Sequence, residues 1–149
     1  MSAKRAGRTV GALILLAFVF YGGGSALVDA ASGNPAVLAD AAGNETQLAS
    51  GALLMLLNCA IVASIGVVAF PVLRRYHQVS AYAYLVTRVF EAVMLAVGVV
   101  FILLLVSLGR EYVAAGAGDD SALPSLARVA KEGSLYSYWA AMTGLALGS

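Results

Sequence analysis

Two ionisable residues stand where charge is expensive. Arg88 and Glu91 interrupt an otherwise uncharged apolar run from Val79 to Leu108. Spaced three apart, they share one face of a helix and can form an intrahelical ion pair. At membrane depth each costs roughly 2.5–3.5 kcal/mol to insert, and such groups are read first as functional. The chemistry they offer is a polar cavity wall, a ligand contact or a proton relay. Tyr84 lies one turn before Arg88 on the same face, within reach of the pair. Asn58 is the strongly polar side chain of the preceding apolar run; its amide can meet a ligand or bridge helices, a bridge being worth about 0.6–2 kcal/mol. Arg88, Glu91, Asn58 and Tyr84 are therefore the candidate ligand or ion-pair residues.

A structural reading of the same residues is equally concrete. Val79–Leu108 rises about 45 Å as a helix, against a hydrocarbon core about 30 Å thick. Counting back about 20 residues from Leu108 puts the cytoplasmic hydrocarbon edge near Val89. There Arg88 snorkels to the headgroups, and Glu91 is partnered by Arg88 or by the Arg74-Arg75 turn. Tyr76, Tyr82 and Tyr84 fit the aromatic belt of such a boundary.

Other chemistry is poorly represented. A lone cysteine, Cys59, has no neighbouring His or acid and reads as packing. A single histidine, His77, sits in a basic turn and leaves no His–His pair for a metal. Gly22-Gly23-Gly24 lacks the Lys-Ser/Thr ending of a phosphate loop. An intramembrane enzyme using Glu91 as acid or base needs a second catalytic group, and Arg88 is its one evident neighbour. The sequence thus nominates no catalytic residue, no metal site and no cofactor.

The elements that position these residues follow from composition. Of 149 residues, 61% are hydrophobic and 11% charged, with nine basic and eight acidic side chains. Soluble domains carry about 25% charged residues, so this chain has too little charge to cover a water-facing surface. Disorder and a nucleic-acid-binding basic face are excluded on the same ground. The sequence predicts an all-α polytopic transmembrane helix bundle in one domain, with spans over about 9–28, 48–73, 79–108 and 134–149. Pro71 is expected to kink or end the second span. Short helical turns are expected at Pro35–Asp40 and, lying on the interface, over Ser121–Lys131. Gly7-x-x-x-Gly11 and Gly144-x-x-x-Gly148 match the close-packing motif of membrane helices.

Orientation is read from the bases. Lys4, Arg5, Arg8, Arg74 and Arg75 fall on one side, and Arg110, Arg128 and Lys131 on the other. The positive-inside bias puts the N-terminus in the cytoplasm of a cell with the chain in its inner (plasma) membrane. The basic start and the Val10–Phe20 run also have the look of a secretory signal, but the apolar stretch outlasts the usual signal core. Gly133–Ser149 reaches about 25 Å and lacks a closing anchor, so the fourth span looks truncated and the chain reads as the N-terminal part of a longer protein. Expected partners are the lipid bilayer and other helices, including further copies of the chain, and not nucleic acid.

Several stretches resemble a known family. Arg5-Ala-Gly-Arg-Thr-Val-Gly-Ala-Leu is similar to the basic entry of the first helix in the DUF4386 family. The likeness continues through Leu53-Leu54-Met55-Leu56-Leu57-Asn58-Cys59 and is best at Arg88-Val89-Phe90-Glu91-Ala92, similar to the family's Arg-Leu-x-Glu-Ala stretch. Phe70-Pro71-Val72-Leu73 departs from the family's Leu-Leu-x-Pro-Val exit. The resemblance covers about Lys4 to Leu108 and implies a mostly bacterial integral membrane protein without an assigned activity. It implies further helices after the region matched, and it draws attention to Arg88 and Glu91. Two functions follow: a non-catalytic membrane component, or part of a small-solute transporter or ligand-binding protein using the Arg88/Glu91 pair.

Overall fold

The computed structural model describes residues 3–32, 37–116 and 122–148. Within them the chain forms five helices: α1 (Ala3–Ser32), α2 (Val37–Gly43), α3 (Glu45–Leu73), α4 (Gln78–Ala114) and α5 (Leu123–Gly148). The described residues contain no strand, and the fold is the expected all-α bundle. Three helices, α1 from Lys4, α3 and α4, are long and apolar enough to cross a membrane. Much of their apolar surface faces outward: Leu15, Phe18 and Val19 on α1, Leu53 and Val67 on α3, and Val86 and Val100 on α4 are all exposed. Those faces suit contact with lipid.

The helices pack in chain order, α1 on α3, α3 on α4 and α4 on α5, so successive long helices run antiparallel. Buried positions recur every three or four residues. On α3 they are Leu48, Ala52, Met55, Cys59, Val62 and Ile65; on α4 they are Ala92, Leu95, Val99, Ile102 and Leu105. Such spacing is one stripe of a helix turned inward.

Glycines let the backbones approach. A Cβ on Gly51 would lie 2.8 Å from the Gly24 carbonyl oxygen, and one on Gly24 would lie 2.8 Å from the Gly51 carbonyl oxygen. The α1–α3 crossing is therefore backbone against backbone, as membrane helices favour where small residues meet. Between α4 and α5 the fit is a ring in a gap: Phe101 fills the space over Gly133 and Phe90 the space over Gly144. Gly109 lets the α2 backbone lie across the far end of α4. By contrast, among the described residues nothing lies within 4 Å of a Cβ on Gly7 or Gly11. The motif expected to mediate close packing there is unused within this chain.

The connections show where local chemistry departs from expectation. Pro71 is accommodated inside the last turn of α3, which ends at Leu73. His77, read as a solvated turn residue, caps α4: its Nδ1 accepts from the Ser80 amide at 3.3 Å. The loop expected after Leu108 is shorter, because α4 continues to Ala114 and Gly116 then adopts a positive φ of 81°. That left-handed turn is one glycine takes without penalty.

The stretch expected as a separate interfacial helix is, from Leu123 on, the opening of α5. Ala127 and Ala130 are buried there in the main core, and two small side chains three apart let this segment pack inward instead of lying apart. The start of the short helix expected at Pro35–Asp40 lies outside the described residues; from Val37 it is present as α2. Arg110 on α4 donates to the Glu45 carboxylate through Nε at 3.0 Å and also through Nη2, tying the start of α3 to the end of α4.

The two sets of glycines make opposite predictions. Gly51→Ala forces the α1 and α3 backbones apart and costs about 1–3 kcal/mol, the usual effect of overpacking. Gly7→Ala and Gly11→Ala leave the thermal unfolding midpoint of the detergent-purified chain within error of the parent. Equal midpoints for Gly51→Ala and the parent would show that the crossing does not hold the bundle.

Candidate functional site

Arg88, Glu91 and Tyr84 form one cluster on the first third of α4. Arg88 Nη1 donates to Glu91 Oε2 at 2.8 Å, the i,i+3 pair that the spacing predicts. Arg88 Nε donates to the Tyr84 hydroxyl at 3.1 Å, and the guanidinium carbon lies 5.3 Å from the Tyr84 ring centroid. The pair is shielded: the Glu91 side chain is 5% exposed and that of Arg88 13%. Gly66 on α3 makes room for it, since a Cβ there would lie 2.9 Å from Arg88 Cβ. Arg88 thus presses its aliphatic stem against α3 while its head folds back along α4.

Asn58 is also buried, on the inward stripe of α3, but it stands apart from that cluster. The packing of Gly66 against Arg88 sets the antiparallel register, and Cys59 and Val62 share a core cluster with Leu95 and Ala92. In that register Asn58 lies about five residues from the level of Glu91, roughly 7.5 Å along the helices. Its Oδ1 has no hydrogen-bond partner among the described residues. Cys59 beside it donates its thiol to the Met55 carbonyl at 3.2 Å, as a packed helical cysteine does.

A second feature was not foreseen from the sequence. A cleft of about 470 Å³ opens between α1 and α5 and is floored by α3 and α4. Its floor is apolar, from Met55, Leu95, Gly98, Ile102 and Leu105. Its α1 wall carries Tyr21, Ser25, Val28, Asp29 and Ser32, and its α5 wall Lys131, Glu132, Ser134, Leu135 and Tyr138. Tyr21 and Tyr138 stack across it with ring centroids 5.5 Å apart. Lys131 Nζ donates to the Ser32 carbonyl at 3.1 Å, a cation placed at a helix C-terminus. None of Arg88, Glu91, Asn58 and Tyr84 lines this cleft. The available signal was the spacing of Tyr21, Ser25, Asp29 and Ser32 along one face of α1. Its meaning depends on α5 lying opposite.

The molecule therefore holds two polar features of different character. The Arg88 cluster is a closed set of mutual contacts at a helix–helix seam. The cleft is open, apolar at its floor and charged at its rim.

No curated protein and no solved structure matches the chain. A family model described as a domain of unknown function, DUF4386, matches residues 9–148, reaching well past Leu108 to take in α5. On that match over nearly the whole sequence, the chain belongs to the DUF4386 family.

Proposed function

We propose that this chain is a non-catalytic component of a plasma membrane, with its N-terminus in the cytoplasm, and that Arg88, Glu91 and Tyr84 form a self-neutralised polar clamp on α4 that the Arg88 stem seats against α3. The observation that carries the reading is that the ion pair is closed on itself. Glu91 receives Arg88, Arg88 also reaches Tyr84, and the stem of Arg88 packs over Gly66. Helix length supports the placement. The 37 residues of α4 rise about 55 Å, well beyond a core about 30 Å thick, so its ends lie outside the hydrocarbon. Arg88 is ten residues from the start of α4, which suits a site near the cytoplasmic boundary. Phe70 and Tyr82 pack edge to face with centroids 5.1 Å apart near the same end, as aromatic residues at a membrane boundary do.

One observation favours the second reading, a path or pocket for a small polar solute. Asn58 is buried with its Oδ1 unpaired among the described residues, roughly 7.5 Å along the helices from Glu91. An unpaired buried acceptor is costly and is retained where something polar visits it.

Three measurements follow. Arg88→Met and Glu91→Leu each leave one charge buried alone and destabilise the chain by about 3–5 kcal/mol, whereas the double variant regains most of that loss. Thermal unfolding in detergent reads the cycle, and simple additivity of the two losses overturns the clamp. A reporter fused after Arg75 reads cytoplasmic and one fused after Ala115 reads the opposite side; the reverse pattern inverts the orientation. Asn58→Leu removes the unpaired acceptor and leaves the chain at least as stable as the parent. If the same variant abolishes uptake or binding of a polar solute by the intact protein, the second reading replaces the first.

A further inference from the structure

The cleft between α1 and α5 has the layering of an amphiphile. Its floor is hydrocarbon, and its volume of about 470 Å³ falls within the range of small-molecule sites, roughly 300–1,000 Å³. The charged groups gather on its walls at Asp29, Lys131 and Glu132. Two carboxylates against one ammonium leave the rim net negative. Lys131 is already engaged with the Ser32 carbonyl, while neither Asp29 nor Glu132 has an ion-pair partner among the described residues. Arg128, one turn earlier on α5, does not line the cleft. The side walls belong to different helix pairs, because α1 packs on α3 and α5 on α4. The cleft is therefore open to whatever lies between α1 and α5, and in a bilayer that is lipid.

We infer that this cleft binds one bilayer lipid with an ammonium headgroup, its acyl chain on the apolar floor and its ammonium at the carboxylates of Asp29 and Glu132. Charge complementarity selects the headgroup: an anionic lipid would bring a second negative charge to a negative rim, while an ammonium meets two unpaired carboxylates. The single cation, Lys131, matches the phosphodiester that such a lipid carries beside its ammonium. Apolar contact supplies the rest, since each methylene placed on the floor is worth about 0.8 kcal/mol. This inference is independent of the role proposed for Arg88 and Glu91, which lie outside the cleft.

Native mass spectrometry of the detergent-purified full chain tests it with chain-matched probes. Lysophosphatidylethanolamine and lysophosphatidylglycerol share a tail and a phosphate and differ in the ammonium. The parent should retain one lysophosphatidylethanolamine at least ten times more strongly than lysophosphatidylglycerol, and should not retain glycerophosphoethanolamine, which lacks the chain. Asp29→Asn with Glu132→Gln, both at exposed positions, should lose the preference for lysophosphatidylethanolamine, since Lys131 is then the rim's remaining charge. Ser25→Leu, adding bulk from the α1 wall, should weaken binding of both while eluting as a single folded species. Equal retention of the two lysolipids by the parent overturns the inference, as does a preference for the glycerol headgroup. Undiminished selectivity in the Asp29/Glu132 variant overturns it as well. So does a lipid-free dimer, which would mean a second copy of the chain covers the cleft.

Discussion

In hydrocarbon, an apolar side chain gains little by leaving lipid for a neighbouring helix, so close backbone approach has to hold the bundle together. This chain meets that constraint with glycine. The Gly24 and Gly51 carbonyl oxygens each stand 2.8 Å from where the other residue's Cβ would be. The same device recurs with side chains as the inserted part, Phe101 at Gly133 and Phe90 at Gly144. Because α1 is seated on α3 and α5 on α4, the region between α1 and α5 is bridged at the Tyr21–Tyr138 stack and open beside it. The cleft is thus a consequence of where the glycines place the helices.

Gly66 couples this packing to the buried charge. Without a Cβ it admits the first carbons of Arg88 against α3. The guanidinium is then left to partners on its own helix, Glu91 ahead of it and Tyr84 behind. A pair formed within one helix carries its own neutralisation wherever that helix goes. It avoids the larger cost of a charge that waits for a partner on another segment. Arg110 and Glu45 solve the equivalent problem at the other end of α4 between two helices, at exposed positions where water shares the load.

The fold class and the ion pair were legible in the sequence for simple reasons. Long uncharged runs leave few alternatives to helices, and a spacing of three on a helix brings Arg88 to Glu91 whatever surrounds them. The inward faces were not legible. Leu53 and Val67 are as apolar as Leu48 and Val62, yet the first two are exposed and the second two buried. A helix that meets apolar surroundings on every side gives no amphipathic signal to say which side meets protein. The extent of α5 was hidden for a related reason: Arg128, Lys131 and Glu132 read as loop charge, although Ala127 and Ala130 on the same turns are buried. His77 was missed as a cap because the usual cap residues are Ser, Thr, Asp and Asn.

Glycine motifs illustrate the same limit from the other direction. Gly7 and Gly11 have the spacing associated with helix pairing and meet none of the described residues, while Gly24, Gly51 and Gly66 make the contacts. A small residue permits close approach; a facing helix has to supply it. Gly98 adds a third case. A Cβ there would meet Ser134 and Ser137 at 3.5 Å or more, an ordinary contact that the packing tolerates. Its missing side chain is therefore not needed to bring α4 and α5 together. Gly98 also lines the cleft, on its α4 floor. Glycine at 24 and 51 serves the contact between helices, and glycine at 98 lines the space between them.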